Sequence, residues 1–416
     1  MVKQKIIYDA TLLVNAYETQ VFRTGLFRVC DELLKQLIAS GRYRIFLFDV
    51  FGRERHLRQY VVSNYNSSVE SAVDVLEQDS KAFRTLAYPA LRRADMWRKK
   101  ENDKFIYKLL KSAAVRFSNC VEQFSPRCKP QDVADSSFSY VATYYPIPQW
   151  VHNAGIHATL IVHDLIPIIH PEYFVSKANN SLLQDICASI SSADTAVCVS
   201  ASTRNDLLNY RKDLVPEQIK YAHLAGADCF RPTALTISSL IPHQYILSAC
   251  TLEPRKNMRG LVSAYKLLLQ RHNGNFMPLV LTGAKGWKTG QLQEDIETIN
   301  ALYPGKIILT GYVSDEELAG LYSNTAVFVY PSLYEGFGLP PLEAMQCGAP
   351  VVVSNRSSLP EVVGDAGVLV DPTALEAIAD AIEQVIADRE RRSSLSKERA
   401  LQFGWDKFAQ VVMLTL

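Results

Sequence analysis

Short apolar runs recur along this chain with helical patterns between them, and that alternation restricts the fold more than any other feature of the sequence. In the second half the runs are Tyr245–Ala249, Pro278–Thr282, Lys306–Leu309, Ala326–Tyr330, Pro350–Val353 and Val368–Val370. Helical patterns fall between them near 258–272, 291–302, 315–323, 341–347 and 373–387. A strand that is apolar throughout must be covered on both faces, and parallel strands linked by helices achieve this. Ser314 and Glu317 match a capping box and mark one helix start. The first half carries the same theme, with strands at Lys5–Ala10, Arg44–Val50, Tyr140–Tyr144, Ala158–His163 and Thr195–Ser200. A helix from Leu26 to Ala39 places Leu26, Val29, Leu33 and Leu37 on one face. At 416 residues the chain exceeds one typical core. The expected fold class is therefore α/β, with two doubly wound Rossmann-like domains. Pro232, Thr233 and Pro242 interrupt the pattern, which sets the domains at 1–235 and 236–400, followed by a C-terminal helix in 401–416.

Charge excludes several classes of function. The 44 Lys and Arg residues balance 43 acids, so the molecule as a whole has no pull toward nucleic acid. No apolar run approaches the roughly 18 residues of a membrane span. The eight cysteines form no C-x-x-C pair and accompany no His cluster at zinc spacing, so reduced thiols, a cytoplasmic setting and no metal are expected. The N-terminus turns polar too soon for a signal peptide and reads as a first strand. One segment, about 55–135, shows no clear alternation and is treated as an atypical basic insertion. Its stretch 91–117 carries nine Lys or Arg against three acids, interleaved with Trp97, Phe105, Leu109 and Phe117. It reads either as a solvated helical pair or as a basic amphipathic surface for peripheral contact with an anionic membrane or a lipid-linked pyrophosphate.

The densest chemistry lies from Tyr330 to Met345. A strand ends at Pro331, a loop follows with Gly336, Phe337, Gly338 and Leu339, and a helix begins at Pro340-Pro341. The loop offers backbone N–H groups at a helix start, where negative charge is favoured and a diphosphate can be cradled. Gly336 and Gly338 would let a ligand approach the backbone. Glu335 and Glu343 frame the loop, and carboxylates there suit sugar hydroxyls rather than phosphate. Arg255 and Lys256 sit in another strand–helix loop, where two cations could neutralise a leaving diphosphate.

The string from Pro331 to Pro372, with its Glu-x7-Glu pair, closely resembles family 4 of the retaining glycosyltransferases, which have the GT-B architecture of two Rossmann-like domains facing across a cleft. Thr251-Leu252-Glu253-Pro254-Arg255-Lys256-Asn257 resembles the family's donor-phosphate element. Strings around Gly283 and around Gly311-Tyr312 also match, the latter near the nucleotide base. The His163-Asp164-Leu165-Ile166-Pro167 string resembles a strand end whose His reaches the transferred sugar. Arg23-Thr24-Gly25 fills the place of an N-terminal glycine loop that touches donor diphosphate and acceptor. Phe403-Gly404-Trp405 resembles the helix that crosses back to the first domain. The flavour is that of the mannosyltransferase B-like subgroup of bacterial O-antigen and polysaccharide synthesis. Two departures stand out: Cys250 replaces a usual glycine, and 55–135 has no counterpart.

The resemblance implies a retaining, metal-independent hexosyltransferase with no cofactor, taking a nucleotide-sugar donor, with GDP-mannose the first expectation and GDP-, UDP- or dTDP-linked fucose, rhamnose or glucose the alternatives. It also implies a glycan or polyprenyl-pyrophosphate-linked acceptor. The implied roles are catalytic for His163, Arg255, Lys256 and Glu335. Donor binding falls to Gly25, Gly283, Tyr312, Gly336, Phe337, Gly338, Leu339 and Glu343. An epimerase or a glycan phosphorylase would share the architecture. A dinucleotide oxidoreductase would need a G-x-G-x-x-G turn, and Asp9-Ala10-Thr11-Leu12-Leu13 stands where it should be. A catalytically inactive scaffold relative is the remaining alternative.

Overall fold

The structure is a computed structural model that describes residues 3–19, 25–65, 73–76, 137–174, 178–235, 240–284, 286–287 and 289–416. Two sheets organise it. The first contains β1 (Gln4–Asp9), β2 (Tyr43–Phe48), β3 (Val73–Val75), β4 (Phe138–Ala142), β5 (His157–Val162), β6 (Thr195–Cys198) and β7 (Ile219–Tyr221), in the order β3-β2-β1-β4-β5-β6-β7. The second contains β8 (Ile246–Ala249), β9 (Leu279–Thr282), β10 (Ile307–Gly311), β11 (Val327–Tyr330), β12 (Val351–Ser354) and β13 (Val368–Val370), in the order β10-β9-β8-β11-β12-β13. The strand pairs are parallel, as between β1 and β2, β1 and β4, β8 and β9, and β8 and β11. Each order reverses beside its first strand, at β1/β4 and at β8/β11. Such switch points open a crevice at the carboxyl ends of the strands, where doubly wound sheets bind their ligands.

The chain forms two compact units: Met1–Ile161 with Asp185–Ala196 and Val412–Leu416, and Val162–Gln184 with Val197–Val411. In the first unit the chain's last residues are tied to the sheet. Leu416 O accepts from Ser139 Oγ at 2.9 Å, and the Thr415 and Thr159 hydroxyls meet at 2.9 Å. The helix Trp405–Met413 leads into this end.

The second unit shows why such short strands hold. Four-residue strands such as β8, β9, β11 and β12 are buried along their whole length. On one side the helices Met258–Arg271 and Leu375–Ala387 cover them with Leu261, Tyr265, Leu268, Ile378 and Ile382. Burial of each such side chain stabilises the unit by about 1.5–3 kcal/mol. The Ser314 capping box forms: Ser314 Oγ accepts from Glu317 N at 3.1 Å, and Ser314 N donates to Glu317 Oε2 at 2.7 Å.

Part of the 55–135 segment is ordinary α/β structure. The helix Glu54–Asn64 leads to β3, which pairs with β2. The basic stretch 91–117, and Arg23 and Thr24, lie outside the described residues. Among the described residues no helix is long and apolar enough to cross a membrane.

Candidate active site

The site is assembled on the carboxyl ends of β8 and β11, which are neighbours in the second sheet. After β8 the chain makes a short 3-10 turn, Pro254–Lys256, with proline in its first turn, where the missing N–H costs nothing. Asn257 then adopts a left-handed backbone (φ 56°) that only a few residue types accept, and the helix Met258–Arg271 begins. This turn presents Arg255 and Lys256 together. After β11, Leu333 N donates to Arg255 O at 2.8 Å, which fastens one loop to the other, and Ser332 Oγ lies 3.2 Å from the same oxygen.

Glu335 is drawn into the junction. Its Oε1 accepts from Lys256 Nζ at 2.6 Å, Ser332 Oγ at 2.6 Å and Tyr330 Oη at 2.9 Å. Its Oε2 accepts from Arg255 Nη1 at 2.6 Å. Arg255 also donates to Tyr334 O and to Glu253 Oε1, both at 2.7 Å. Burial alone would push the Glu335 carboxyl up. The Arg255 and Lys256 cations and the hydrogen bonds from Lys256 and Ser332 outweigh it and hold the group at about 2. Burial likewise works against the Arg255 guanidinium, but Glu335 and Glu253 raise it and keep it charged. Within the cluster, Glu335 and Arg255 are therefore ionised at neutral pH. Its cations still have donors to spare: an ammonium has three hydrogens and a guanidinium five.

The glycine loop is held from several directions. A Cβ on Gly336 would stand 2.2 Å from His163 O, so this glycine is demanded by the close approach of the His163 backbone. The Gly336 carbonyl accepts from Ser200 Oγ at 2.6 Å and Thr203 Oγ1 at 3.0 Å. Ser358 Oγ donates to the carbonyls of Glu335 and Phe337 at 3.0 and 2.6 Å. Gly338 has φ 120° and caps the helix Leu339–Gln346. Among the described residues nothing accepts from the N–H groups of Gly336, Phe337, Gly338 or Leu339. Buried donors without a protein partner at a helix start suit an anion.

The structure thus brings Arg255, Lys256 and Glu335 into direct contact and sets His163 against Gly336. His163 is half-buried, and Asp164 beside it feels the same cluster. Burial raises the Asp164 carboxyl, and Arg255 pulls it the other way. Glu343 is buried on the helix Leu339–Gln346. Gly283 (φ 132°) closes the loop after β9 onto the loop after β8, since a Cβ there would lie 2.0 Å from Cys250 O. It edges a shallow apolar pocket with Leu252, Leu281, Leu292, Ile296 and Gly311. Tyr312, just past β10, is 66% exposed. Gly25 opens the helix Gly25–Ala39 of the first unit. Burial pushes the Cys250 thiol up to about 12 despite Lys256 nearby, which disfavours the thiolate.

Three contributors carried no assigned role in the sequence: Tyr330, Ser332 and Glu253. Their signal was position alone, since each lies inside a motif already singled out.

Comparison with known proteins identifies the family. Residues 241–401 match the family described as glycosyl transferases group 1. Over 260 residues the chain is 38% identical to the O-antigen chain mannosyltransferase B of Escherichia coli, covering 60% of this chain and 67% of that one. It is 31% identical over 276 residues to the serotype-specific mannosyltransferase WbdA of Escherichia coli, covering 63% of this chain but 33% of that one. Among solved structures, Anabaena Alr3699/HepE in complex with UDP and glucose superposes with a TM-score of 0.58, at 17% identity, over 99% of both chains. The chain belongs to the glycosyl transferases group 1 family and is a glycosyltransferase of the GT-B fold.

Proposed function

We propose that this protein is a retaining, metal-independent mannosyltransferase that uses GDP-mannose and extends a glycan or a polyprenyl-pyrophosphate-linked oligosaccharide in cell-surface polysaccharide synthesis. The observation that carries this reading is the Arg255–Lys256–Glu335 cluster beside the unpaired N–H groups of the Gly336–Leu339 loop. Mannose and the polysaccharide context are supported by what the Escherichia coli relatives are named for. A cytoplasmic location, peripheral on the inner face of the membrane, fits an acceptor of that kind.

In the proposed reaction the acceptor hydroxyl oxygen bonds to the anomeric carbon as the bond from that carbon to the phosphate oxygen breaks. The hydroxyl proton passes to the departing phosphate oxygen on the same face, and the nucleoside diphosphate leaves. Arg255, Lys256 and the loop N–H groups stabilise charge that develops on the diphosphate. Glu335 positions the donor sugar, Glu343 binds ribose hydroxyls, and His163 contacts the sugar near its reacting carbon. Holding both substrates in line supplies the rest of the acceleration.

A thermal-shift panel of GDP, UDP, dTDP and ADP tests the donor. A nucleotide at about a hundred times its dissociation constant adds ~2.7 kcal/mol of stability. Stabilisation by GDP alone is the expected result. Stabilisation by UDP or dTDP instead would replace mannose in the proposal, and no response to any of them would refute nucleotide-sugar use.

A further inference from the structure

Tyr330 is the last residue of β11 and is fully buried, its ring stacked on Phe328 with centroids 5.9 Å apart. Its hydroxyl is wedged between two charges. Lys256 Nζ lies 2.7 Å from it, and Glu335 Oε1 lies 2.9 Å away. An ammonium has only hydrogens to give, so the phenol oxygen must accept on that side, and its own proton turns toward the carboxylate. Oε1 therefore takes three donors: Tyr330, Lys256 and Ser332. Oε2 takes one, from Arg255. A carboxylate offers about four lone-pair directions, two on each oxygen. Three donors more than fill Oε1, and Oε2 keeps one open acceptor position. Lys256 in turn spends two of its hydrogens on Tyr330 and Glu335 and keeps one.

We propose that Tyr330 is a positioning residue for recognition of the transferred sugar: by bridging Lys256 Nζ and Glu335 Oε1 it fixes the placement of the carboxylate, whose Oε2 is left to take one sugar hydroxyl. This rests on the nucleotide-sugar reading above. Tyr330 acts through its two neighbours. Without its hydroxyl, the carboxylate loses the donor that its own strand supplies, the ammonium loses one of its two anchors, and the bridge between the two is gone.

The test is Tyr330→Phe, which keeps the ring and its packing. Affinities for GDP and for GDP-mannose are measured by calorimetry in parallel with the transfer rate. Expected is a GDP dissociation constant within about twofold of wild type, loss of most of the extra affinity that the sugar confers, and kcat/KM lower by about tenfold. In a Tyr330→Phe/Glu335→Gln double variant the extra affinity that the sugar confers should fall no further than in Glu335→Gln alone, because that part runs through the carboxylate. Equal losses of GDP and GDP-mannose affinity, or additive losses in the double variant, would overturn the proposal and leave Tyr330 a packing residue. Should Tyr330→Phe not fold, Ser332→Ala removes another Oε1 donor, and the same split between GDP and GDP-mannose is expected or refuted there. A wild-type chain that binds neither ligand overturns the functional reading and this proposal with it, an outcome distinct from a wild type that binds both and a variant that treats them alike.

Discussion

Each unit holds a buried carboxylate near the carboxyl end of a parallel strand, and the two behave in opposite ways. Asp9 ends β1 and is 0% exposed; Glu335 follows β11 and is 7% exposed. Burial pushes Asp9 up to about 7, and the hydrogen bonds from Thr11 only partly counter it. Its Oδ1 accepts from Thr11 N at 3.0 Å and Thr11 Oγ1 at 2.5 Å, while Oδ2 has no partner among the described residues. The nearby cation, Arg53, is already committed to Asp49 at 2.7 Å, to Glu18 at 3.0 Å and to Asn15 at 2.6 Å. Glu335 instead has two cations of its own and is held at about 2. Equal burial gives a carboxyl half-neutral near pH 7 in one unit and a firmly ionised one in the other. The difference lies in whose cations are free, and it marks Glu335 as part of a charged apparatus and Asp9 as part of a wall.

The strongest way to break this comparison is to remove a cation from the second unit. Lys256→Ala should lower the transfer rate by about a hundredfold, because a donor aimed at developing charge is worth several kcal/mol. Initial rates with labelled donor, alongside circular dichroism, check it. Glu335→Ala leaves the buried Lys256 without its carboxylate and Arg255 with Glu253 alone. It should lower the rate at least tenfold, more than ~1.4 kcal/mol, and destabilise the protein by about 3–5 kcal/mol in urea unfolding. Wild-type stability in that variant would mean the ion pairs contribute nothing.

Stability against pH sharpens the contrast. Asp9 has a folded value raised above its ordinary 3.8, so its contribution is favourable below that value and is lost as pH rises toward 7. Asp9→Asn should therefore gain on the order of 2 kcal/mol at pH 8 and nothing at pH 4. Glu335, lowered from 4.5, contributes above that value and loses its contribution as pH falls toward 2. Melting temperatures from pH 3 to 9 separate the two signs. The smallest effect belongs to Cys250, a half-buried thiol beside the same cations, which stays protonated. Cys250→Ala should keep the rate within about threefold, as for an inert buried cysteine, whereas a larger loss would give the sulfur a role.

Much of this was legible before the fold was in view. Six apolar runs in the second half became β8 to β13, and the double proline at 340–341 marked a helix start that lies at Leu339. The elements missed were those with weak patterns. β3 has three residues with Asp74 in its middle, and the helix Thr11–Thr19 follows β1 almost at once. At the site, the sequence named Arg255, Lys256 and Glu335 but assigned the carboxylate to sugar hydroxyls alone. Nearly eighty positions separate it from the cations, and no local rule reveals a contact at that range. The same holds for Gly336, read as a ligand approach and found packed against the His163 carbonyl.

The central claim is that the Arg255–Lys256–Glu335 cluster serves nucleotide-sugar transfer. The most direct measurement is single-donor turnover: GDP-mannose labelled in the sugar, a mannose-terminated acceptor, and wild-type protein beside Lys256→Ala. The account expects labelled acceptor and one GDP per transfer in the wild type, with about a hundredfold less in the variant. Equal turnover by both proteins would contradict it.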